Sequence, residues 1–122
     1  MKIPKAKKEL EAFFRSVLPD DTSIQAKPMF GNLAAFVNGN LFSGLYGETL
    51  FVRLSDKDRV ELLKTNGTRL FEPMKGRPMK EYVCVPEEWL AQPSMVTPWI
   101  SRALAWSGRL PPKAKKKKTT KK

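Results

Sequence analysis

The sequence of 122 residues contains no histidine, a single cysteine and no long apolar run. Without histidine, the chain lacks the commonest general base near neutral pH, the usual member of a catalytic triad and the commonest metal ligand. Cys84 alone cannot build a disulfide framework or a cysteine-rich zinc site. No segment approaches the ~20 apolar residues that span a bilayer, and no apolar stretch follows the basic N-terminus as in a secretory signal. We therefore expect a cytoplasmic protein that is not an enzyme, uses no cofactor or metal and contacts no membrane.

The glycines and carboxylates form no catalytic or phosphate-binding pattern. No glycine-rich stretch is followed by lysine and serine or threonine, and none has the spacing of a dinucleotide-binding loop. The acidic residues stand at predicted helix starts and turns, where capping and the helix dipole account for them. They are Asp20, Asp21, Asp56, Asp58, Glu87 and Glu88.

The net charge of +11 is concentrated at the two ends of the chain. Residues 9–112 hold twelve basic and twelve acidic side chains, so this part is neutral. Four lysines precede it and seven follow it. The C-terminal lysines are Lys113, Lys115, Lys116, Lys117, Lys118, Lys121 and Lys122. We expect them to act either as a solubilising end or as a weak, electrostatic, sequence-independent contact with nucleic acid.

The centre of the sequence, residues 29–54, contains three apolar runs separated by two turn signals. Asn38-Gly39 is typical of a type I′ hairpin turn, which needs positive φ at both central residues. Gly47-Glu48 is typical of a type II′ turn, which needs positive φ at the first. These signals predict a three-stranded antiparallel meander.

Three segments have the apolar spacing of helices. The first covers residues 5–18, the second begins after the N-cap candidate Ser55 and covers about 56–66, and the third covers about 94–107. In the second helix we expect Val60, Leu63 and Leu62 to face inward. In the other two helices the inward stripes are Leu10, Phe13, Phe14, Val17 and Leu18, and Val96, Trp99, Ile100, Ala103 and Leu104.

The region between the second and third helices predicts further strands. Residues 68–71 are a short strand candidate, and 72–79 read as a loop or an irregular edge because of Pro73, Gly76 and Pro78. Residues 80–85 alternate as a strand, and residues 86–90 could form one helical turn. The order α-β-β-β-α-β-β-α predicts a two-layer α+β fold with an antiparallel sheet of four or five strands and helices packed on one face.

The predicted domain organisation is simple. Residues 1–8 form a basic N-terminal end, residues 9–110 form a single domain, and residues 111–122 form a disordered lysine-rich tail, because lysines offer no apolar surface to bury.

Several short motifs resemble one family in their order and spacing. They are Lys27-Pro28-Met29-Phe30-Gly31, the Asn38-Gly39 turn with Phe42 after it, Phe51-Val52-Arg53-Leu54, Phe71-Glu72-Pro73-Met74, Gly76-Arg77-Pro78-Met79-Lys80-Glu81-Tyr82 with Pro86, and Trp99 with Arg102-Ala103-Leu104. Over about residues 10–112 the chain resembles the N-terminal domain family of the TfoX/Sxy competence regulators. The resemblance implies a two-layer α+β domain and a role in transcriptional regulation, and it brings no catalytic residues. Those regulators carry a separate C-terminal domain, whereas in this sequence a lysine-rich segment follows the region of resemblance.

Two small sites have both a structural and a functional interpretation. Cys84 lies on a predicted strand between Val83 and Val85, which favours a half-buried structural thiol over a reactive one. Lys75, Arg77 and Lys80 form a basic patch around the Pro-Met segment, which is either ordinary solvated surface or a contact for an anion such as a nucleic-acid phosphate.

The second face of the meander is the remaining candidate. Counting outward from the two turns pairs Phe36 with Leu41, Leu45 with Leu50 and Ser43 with Val52 on one face, which the helices should cover. The opposite face then carries Phe42, Tyr46, Phe51 and Arg53, with Phe51 lying across from Gly44. Such exposed rings indicate a partner surface for a homodimer, with stacking of single-stranded bases as the rival. The alternative is that the last helix or the segment 71–79 covers this face.

These observations together predict a non-catalytic regulatory or binding module with an unidentified protein partner. Sequence-independent nucleic-acid binding through the lysine-rich termini is the alternative. An uncharacterised enzyme is a more distant one.

Overall fold

A computed structural model describes residues 6–29, 31–74 and 76–111. The helices are α1 (Lys8–Val17), α2 (Asp56–Leu63) and α3 (Pro93–Arg109), with a short 3-10 helix at Glu87–Ala91. The strands are β1 (Ile24–Met29), β2 (Asn32–Val37), β3 (Asn40–Tyr46), β4 (Thr49–Arg53), β5 (Arg69–Met74) and β6 (Arg77–Cys84). They form one antiparallel sheet in the order β1-β2-β3-β4-β6-β5. The α+β fold is therefore confirmed, with one or two strands more than the sequence predicted.

Strand β1 is the addition at one edge of the sheet. The sequence placed Asp20 to Lys27 in a polar connection, because the segment shows no apolar alternation. The structure explains why: four of the six side chains of β1 are exposed, so the strand needs no continuous apolar face. Pro28 within the strand is compatible with its position at the edge, where one side of the backbone makes no ladder.

Both hairpin turns of the meander are confirmed. Asn38 and Gly39 have φ of 54° and 79°, as a type I′ turn requires. Gly47 has φ of 64° at the first central position of the second turn. The pairs that follow from these turns are present: Phe36 with Leu41, and Leu45 with Leu50.

A β-bulge at Phe42 overturns the predicted faces of the residues between the bulge and the Asn38-Gly39 turn, whereas Leu45, Leu50 and Val52 face the helices as predicted. Ala35 pairs with Ser43 and the next residue, Phe36, pairs with Leu41, so Phe42 is an extra residue in β3. Because side chains alternate along a strand, one extra residue moves everything on the far side of it to the opposite face. Phe42 consequently packs in the core beneath the helices, and Leu41 lies on the other face.

The main core lies between the sheet and the helices, which pack on the same face. It joins Phe14 of α1, Leu62 of α2 and Ile100 of α3 to apolar side chains of the sheet. The strand residues in this core are Leu33, Ala35, Val37, Phe42, Leu45, Leu50, Val52 and Val83. Ser55 caps α2 as predicted, since its Oγ accepts a hydrogen bond from the Asp58 amide at 3.3 Å.

The inward side of α2 was predicted incorrectly for two of three residues. Leu62 is fully buried, but Val60 is 57% exposed and Leu63 is 37% exposed. Asp58 and Glu61 face Arg102 of α3 instead, at 3.4 and 3.3 Å. Leu62 is thus the one of the three predicted residues that packs in the core, and the side chains at 60 and 63 turn to solvent.

The opposite face of the sheet, here called the open face, has its own smaller cluster. Phe51, Phe71, Tyr82 and Cys84 are buried there, and no helix residue of the described ranges joins them. Phe71 stacks on Phe51 with centroids 4.2 Å apart, although β6 lies between their strands. The β5–β6 hairpin therefore curls over part of the open face, aided by register shifts around Phe71. The segment 72–79 was predicted as a loop or irregular edge, and its residues 72–74 and 77–79 belong to strands β5 and β6 of this irregular hairpin.

The ends of the described chain are attached at opposite ends of β2. The Ala6 amide donates to Asn32 Oδ1 at 2.8 Å, and Asn40 Nδ2, next to the β2–β3 turn, donates to the Pro111 carbonyl at 3.1 Å. The predicted disordered tail lies outside the described residues from residue 112 onward. Within the described ranges no helix is long and apolar enough to cross a membrane.

Candidate functional site

One row of side chains crosses the open face at the end nearest the Asn38-Gly39 turn. It consists of Phe36, Leu41, Arg53 and Tyr82 of β2, β3, β4 and β6, together with Lys27 of β1, and we call it the open-face row. Lys27 pairs with Ala34, two residues from Phe36, and its ammonium contacts the Phe36 ring diagonally. Phe36 pairs with Leu41 and Arg53 pairs with Tyr82 across their strands. Tyr82 and Leu41 of the row also pack in the cluster of Phe51 and Phe71, so the aromatic and cationic groups of the row adjoin that cluster.

Two cation–π contacts organise the row. The Lys27 ammonium lies 4.8 Å from the centre of the Phe36 ring, and the Arg53 guanidinium lies 5.6 Å from the centre of the Tyr82 ring. Lys27 is exposed and Phe36 is partly buried. Arg53 is 18% exposed and is held by an ion pair from its Nε to the Glu81 carboxylate at 2.9 Å. Each cation is thus positioned against a ring whose other side rests on the sheet.

A hydrogen bond links the row to the bulge. The Tyr82 hydroxyl donates to the carbonyl of Leu41, the residue just before the extra Phe42, at 3.2 Å. Bulges leave backbone groups outside the regular ladder, and a side-chain donor can satisfy one of them. Burial raises the pKa of Tyr82, while the Arg53 charge works in the opposite direction. Tyr82 therefore stays a neutral hydrogen-bond donor across the physiological range.

The predicted partner surface is only partly present on this face. Phe42 is in the helix-side core because of the bulge, and Phe51 is fully buried beneath Phe71. Tyr46 is partly buried, with its ring centre 5.4 Å from that of Phe71 and its hydroxyl 3.4 Å from the Pro73 carbonyl. Arg53 is partly exposed as well, so Tyr46 and Arg53 are the two of the four that remain partly accessible. The expectation that three rings are exposed on this face was therefore wrong. The segment 71–79 covers part of the face, which was one of the alternatives predicted from the sequence.

The predicted basic patch is described only in part. Lys80 is exposed, whereas Lys75 and the side chain of Arg77 lie outside the described part of the structure. Lys27 and Arg53, which could join such a patch, belong to the open-face row. The seven C-terminal lysines also lie outside the described residues.

Cys84 has the environment of a structural thiol. It is buried in the aromatic cluster, and burial raises its pKa to about 11, against the weaker opposing effect of the Arg69 charge. A nucleophilic cysteine needs the reverse, a lowered pKa and access to solvent. The described residues hold no group of three or more histidine, cysteine, aspartate or glutamate side chains placed to bind a metal ion.

The carboxylates with assigned contacts are also structural. Asp58 and Glu61 pair with Arg102, whose guanidinium lies 4.5 Å from the centre of the Trp99 ring. Asp21 accepts from the hydroxyl and amide of Ser23, and these bonds lower the pKa of its carboxyl.

Phe36 and Leu41 are the residues of the row that the sequence assigned to the wrong face. Counting from the turns paired them correctly with each other, but the bulge reversed their side relative to Ser43 and Leu45. Among Leu41, Phe42 and Ser43, no glycine or proline marks the position of the extra residue.

The comparison with family profiles agrees with this architecture. The profile of the TfoX N-terminal domain matches residues 17–106, from the end of α1 to the last turns of α3. A search among curated proteins finds no match. Because the profile covers well over half of the 122 residues, the chain belongs to the TfoX N-terminal domain family.

Proposed function

We propose that this protein is a non-catalytic binding module that contributes to transcriptional regulation. The observation that carries the proposal is the open-face row, where Lys27 and Arg53 stand against aromatic rings on a face that no described helix covers. Exposed polar and aromatic groups held together on a rigid sheet are typical of recognition surfaces. Membership of the family supports the regulatory setting.

The reactive groups support binding rather than chemistry. Catalysis needs a nucleophile or an acid–base pair that is accessible and has a suitable pKa. Cys84 is buried with a raised pKa, and the carboxylates of Asp58 and Glu61 are committed to Arg102. The sequence supplies no histidine to replace them.

A complementation experiment tests the proposal. Removing the protein from its source cell should change the transcript levels of a defined set of genes. Cys84→Ala should restore those levels as well as the natural protein does, since no step depends on the thiol. A double variant Lys27→Gln with Arg53→Gln should fail to restore them. Loss of complementation by a folded Cys84→Ala protein would contradict a non-catalytic role.

The charge distribution favours a second candidate, sequence-independent nucleic-acid binding through the termini. The entire net charge of +11 lies outside residues 9–112. Seven lysines neutralise roughly five to seven phosphates, so log affinity should fall steeply with log salt. The test compares the full chain with a variant whose seven C-terminal lysines are glutamine, by mobility shift on duplexes of two unrelated sequences. Equal affinity of the two proteins, or discrimination between the duplexes, would contradict this candidate.

A further inference from the structure

The charges of the open-face row indicate which class of partner this surface favours. Both of its charged side chains, Lys27 and Arg53, are cationic. Arg69 adds a third cation on the same face, where it donates to Thr49 Oγ1 at 3.3 Å. Glu81 compensates only one of these charges. Charge complementarity therefore favours a polyanionic partner over a neutral or basic one.

We propose that the open-face row binds single-stranded nucleic acid, with a base stacked on Phe36 and phosphates held by Lys27 and Arg53. The inference rests on the proposed binding function and assigns its partner class and site. It differs from binding through the lysine tail, because it places a base contact on the folded domain.

Phe36 provides the stacking surface. Its ring is partly buried and carries the flexible Lys27 ammonium on its outer side, 4.8 Å from the ring centre. An exposed cation–π contact is weaker than the stacking of a base on an aromatic ring. An incoming base can therefore displace the ammonium, which stays attached to the neighbouring strand and within reach of the nucleotide phosphate.

Arg53 provides a more rigid phosphate contact. The Glu81 carboxylate engages its Nε at 2.9 Å and the Tyr82 ring lies beneath it. A guanidinium has five N–H donors, so one ion pair leaves donors for a phosphate oxygen. Lys27 on β1 and Arg53 on β4 are separated by three strand intervals, about 14 Å at ~4.8 Å each, and also by two residues along the strands, because Lys27 is level with Ala34 and Phe51. This separation accommodates several nucleotides laid obliquely across the strands.

The alternatives for this face fit less well. A second copy of the chain placed face to face would bring Lys27 and Arg53 of both copies together, and like charges oppose this. The lysine tail of the same chain has the same sign of charge. A DNA duplex hides the faces of its bases in the stack, whereas a single strand can offer them to an aromatic platform.

Fluorescence anisotropy of a labelled 20-nucleotide oligothymidine, a probe of roughly two OB-fold site lengths, tests the proposal with the full-length chain. Phe36→Leu keeps apolar volume but removes the aromatic face, and we expect it to weaken binding roughly tenfold, a loss typical of one base–aromatic stack. Lys27→Gln should weaken binding and reduce the slope of log affinity against log salt by about one ion. Trp99→Leu is the matched control, because Trp99 pairs with Arg102 in a similar ring–cation contact on the helix side. Circular dichroism melts establish that each variant is folded.

The outcomes separate this proposal from the two candidate functions. Equal effects of Phe36→Leu and Trp99→Leu would overturn the row as the site. If binding is lost only when the C-terminal lysines are replaced, the row is not the binding site, and binding through the lysine tail remains supported. Absence of any oligothymidine binding by the natural chain would overturn it too, while the transcript measurement above still tests the binding module. A change of sedimenting mass in Phe36→Leu with unchanged anisotropy would show that the row joins two copies instead.

Discussion

The ring of Phe51 lies over the backbone of Gly44, so closely that a Cβ on Gly44 would be 2.8 Å from Phe51 Cζ. The two residues face each other across β3 and β4, as the hairpin turns predict. Phe51 cannot easily move away, because it is fully buried and its other neighbour, Phe71, stacks on it at 4.2 Å. The glycine therefore makes room for the aromatic cluster on the open face.

Replacing this glycine should destabilise the protein. In Gly44→Ala the new methyl group would collide with Phe51 and lie 3.2 Å from the Ala34 Cβ. Overpacking of this kind costs about 1–3 kcal/mol of unfolding free energy, which urea denaturation measures.

Gly108→Ala is the matched control for Gly44→Ala. Gly108 lies in α3, where a Cβ would meet no described atom within 4 Å. Alanine is favoured over glycine in a helix, so this variant should gain up to about 1 kcal/mol. Equal effects of the two substitutions would show that Phe51 does not restrict the space at Gly44.

The β-bulge makes a second prediction, about Phe42 and its neighbour. Phe42 is fully buried under the helices, whereas Leu41 is partly buried at the edge of the open-face cluster. Phe42→Ala should therefore cost about 3–5 kcal/mol, as deletion of a core aromatic does. Leu41→Ala should cost distinctly less. Without the bulge the two side chains would exchange faces, so a larger loss for Leu41→Ala in urea denaturation would contradict the register.

The turns and the bulge differ in how far the local sequence specifies them. Asn38-Gly39 specifies its turn locally, because few other residues accept positive φ at both positions. The pairs nearest the turn follow from that geometry. The bulge at Phe42 is decided by packing, since it allows a large ring to enter the core while Tyr82 satisfies the Leu41 carbonyl from another strand. Strand β1 could not be predicted from the sequence for a related reason, because its side chains are mostly exposed and show no apolar alternation.

The C-terminal end of the described chain makes a third prediction. Asn40 is buried and donates from Nδ2 to the carbonyls of Pro111 and, at 3.5 Å, Ser107. A chain ending at Pro112 keeps these acceptors, so its melting temperature should match that of the full chain. A chain ending at Leu110 keeps the last residue of the helix cap but loses the Pro111 acceptor, and it should be less stable by about 1 kcal/mol. The difference between the two truncations in a thermal melt measures the contact, and an equal melting temperature would show that Pro111 adds nothing.

The last prediction concerns the pH dependence of stability through Cys84. Burial raises the pKa of this thiol from its ordinary 9.0 to about 11, because the folded state disfavours the charged thiolate. Above about pH 9 the unfolded chain loses a proton that the folded chain retains, so the contribution of this group is complete below that pH and is lost as the pH rises towards 11. At about pH 10 the loss should be about 1 kcal/mol, since one pKa unit corresponds to ~1.4 kcal/mol.

Urea denaturation of the natural protein and of Cys84→Ala at about pH 8 and about pH 10 measures this loss. Tyr82, whose pKa is also raised by burial, is present in both proteins, so its effect cancels in the comparison. Parallel losses of stability in the two proteins would mean that Cys84 is not protected by burial.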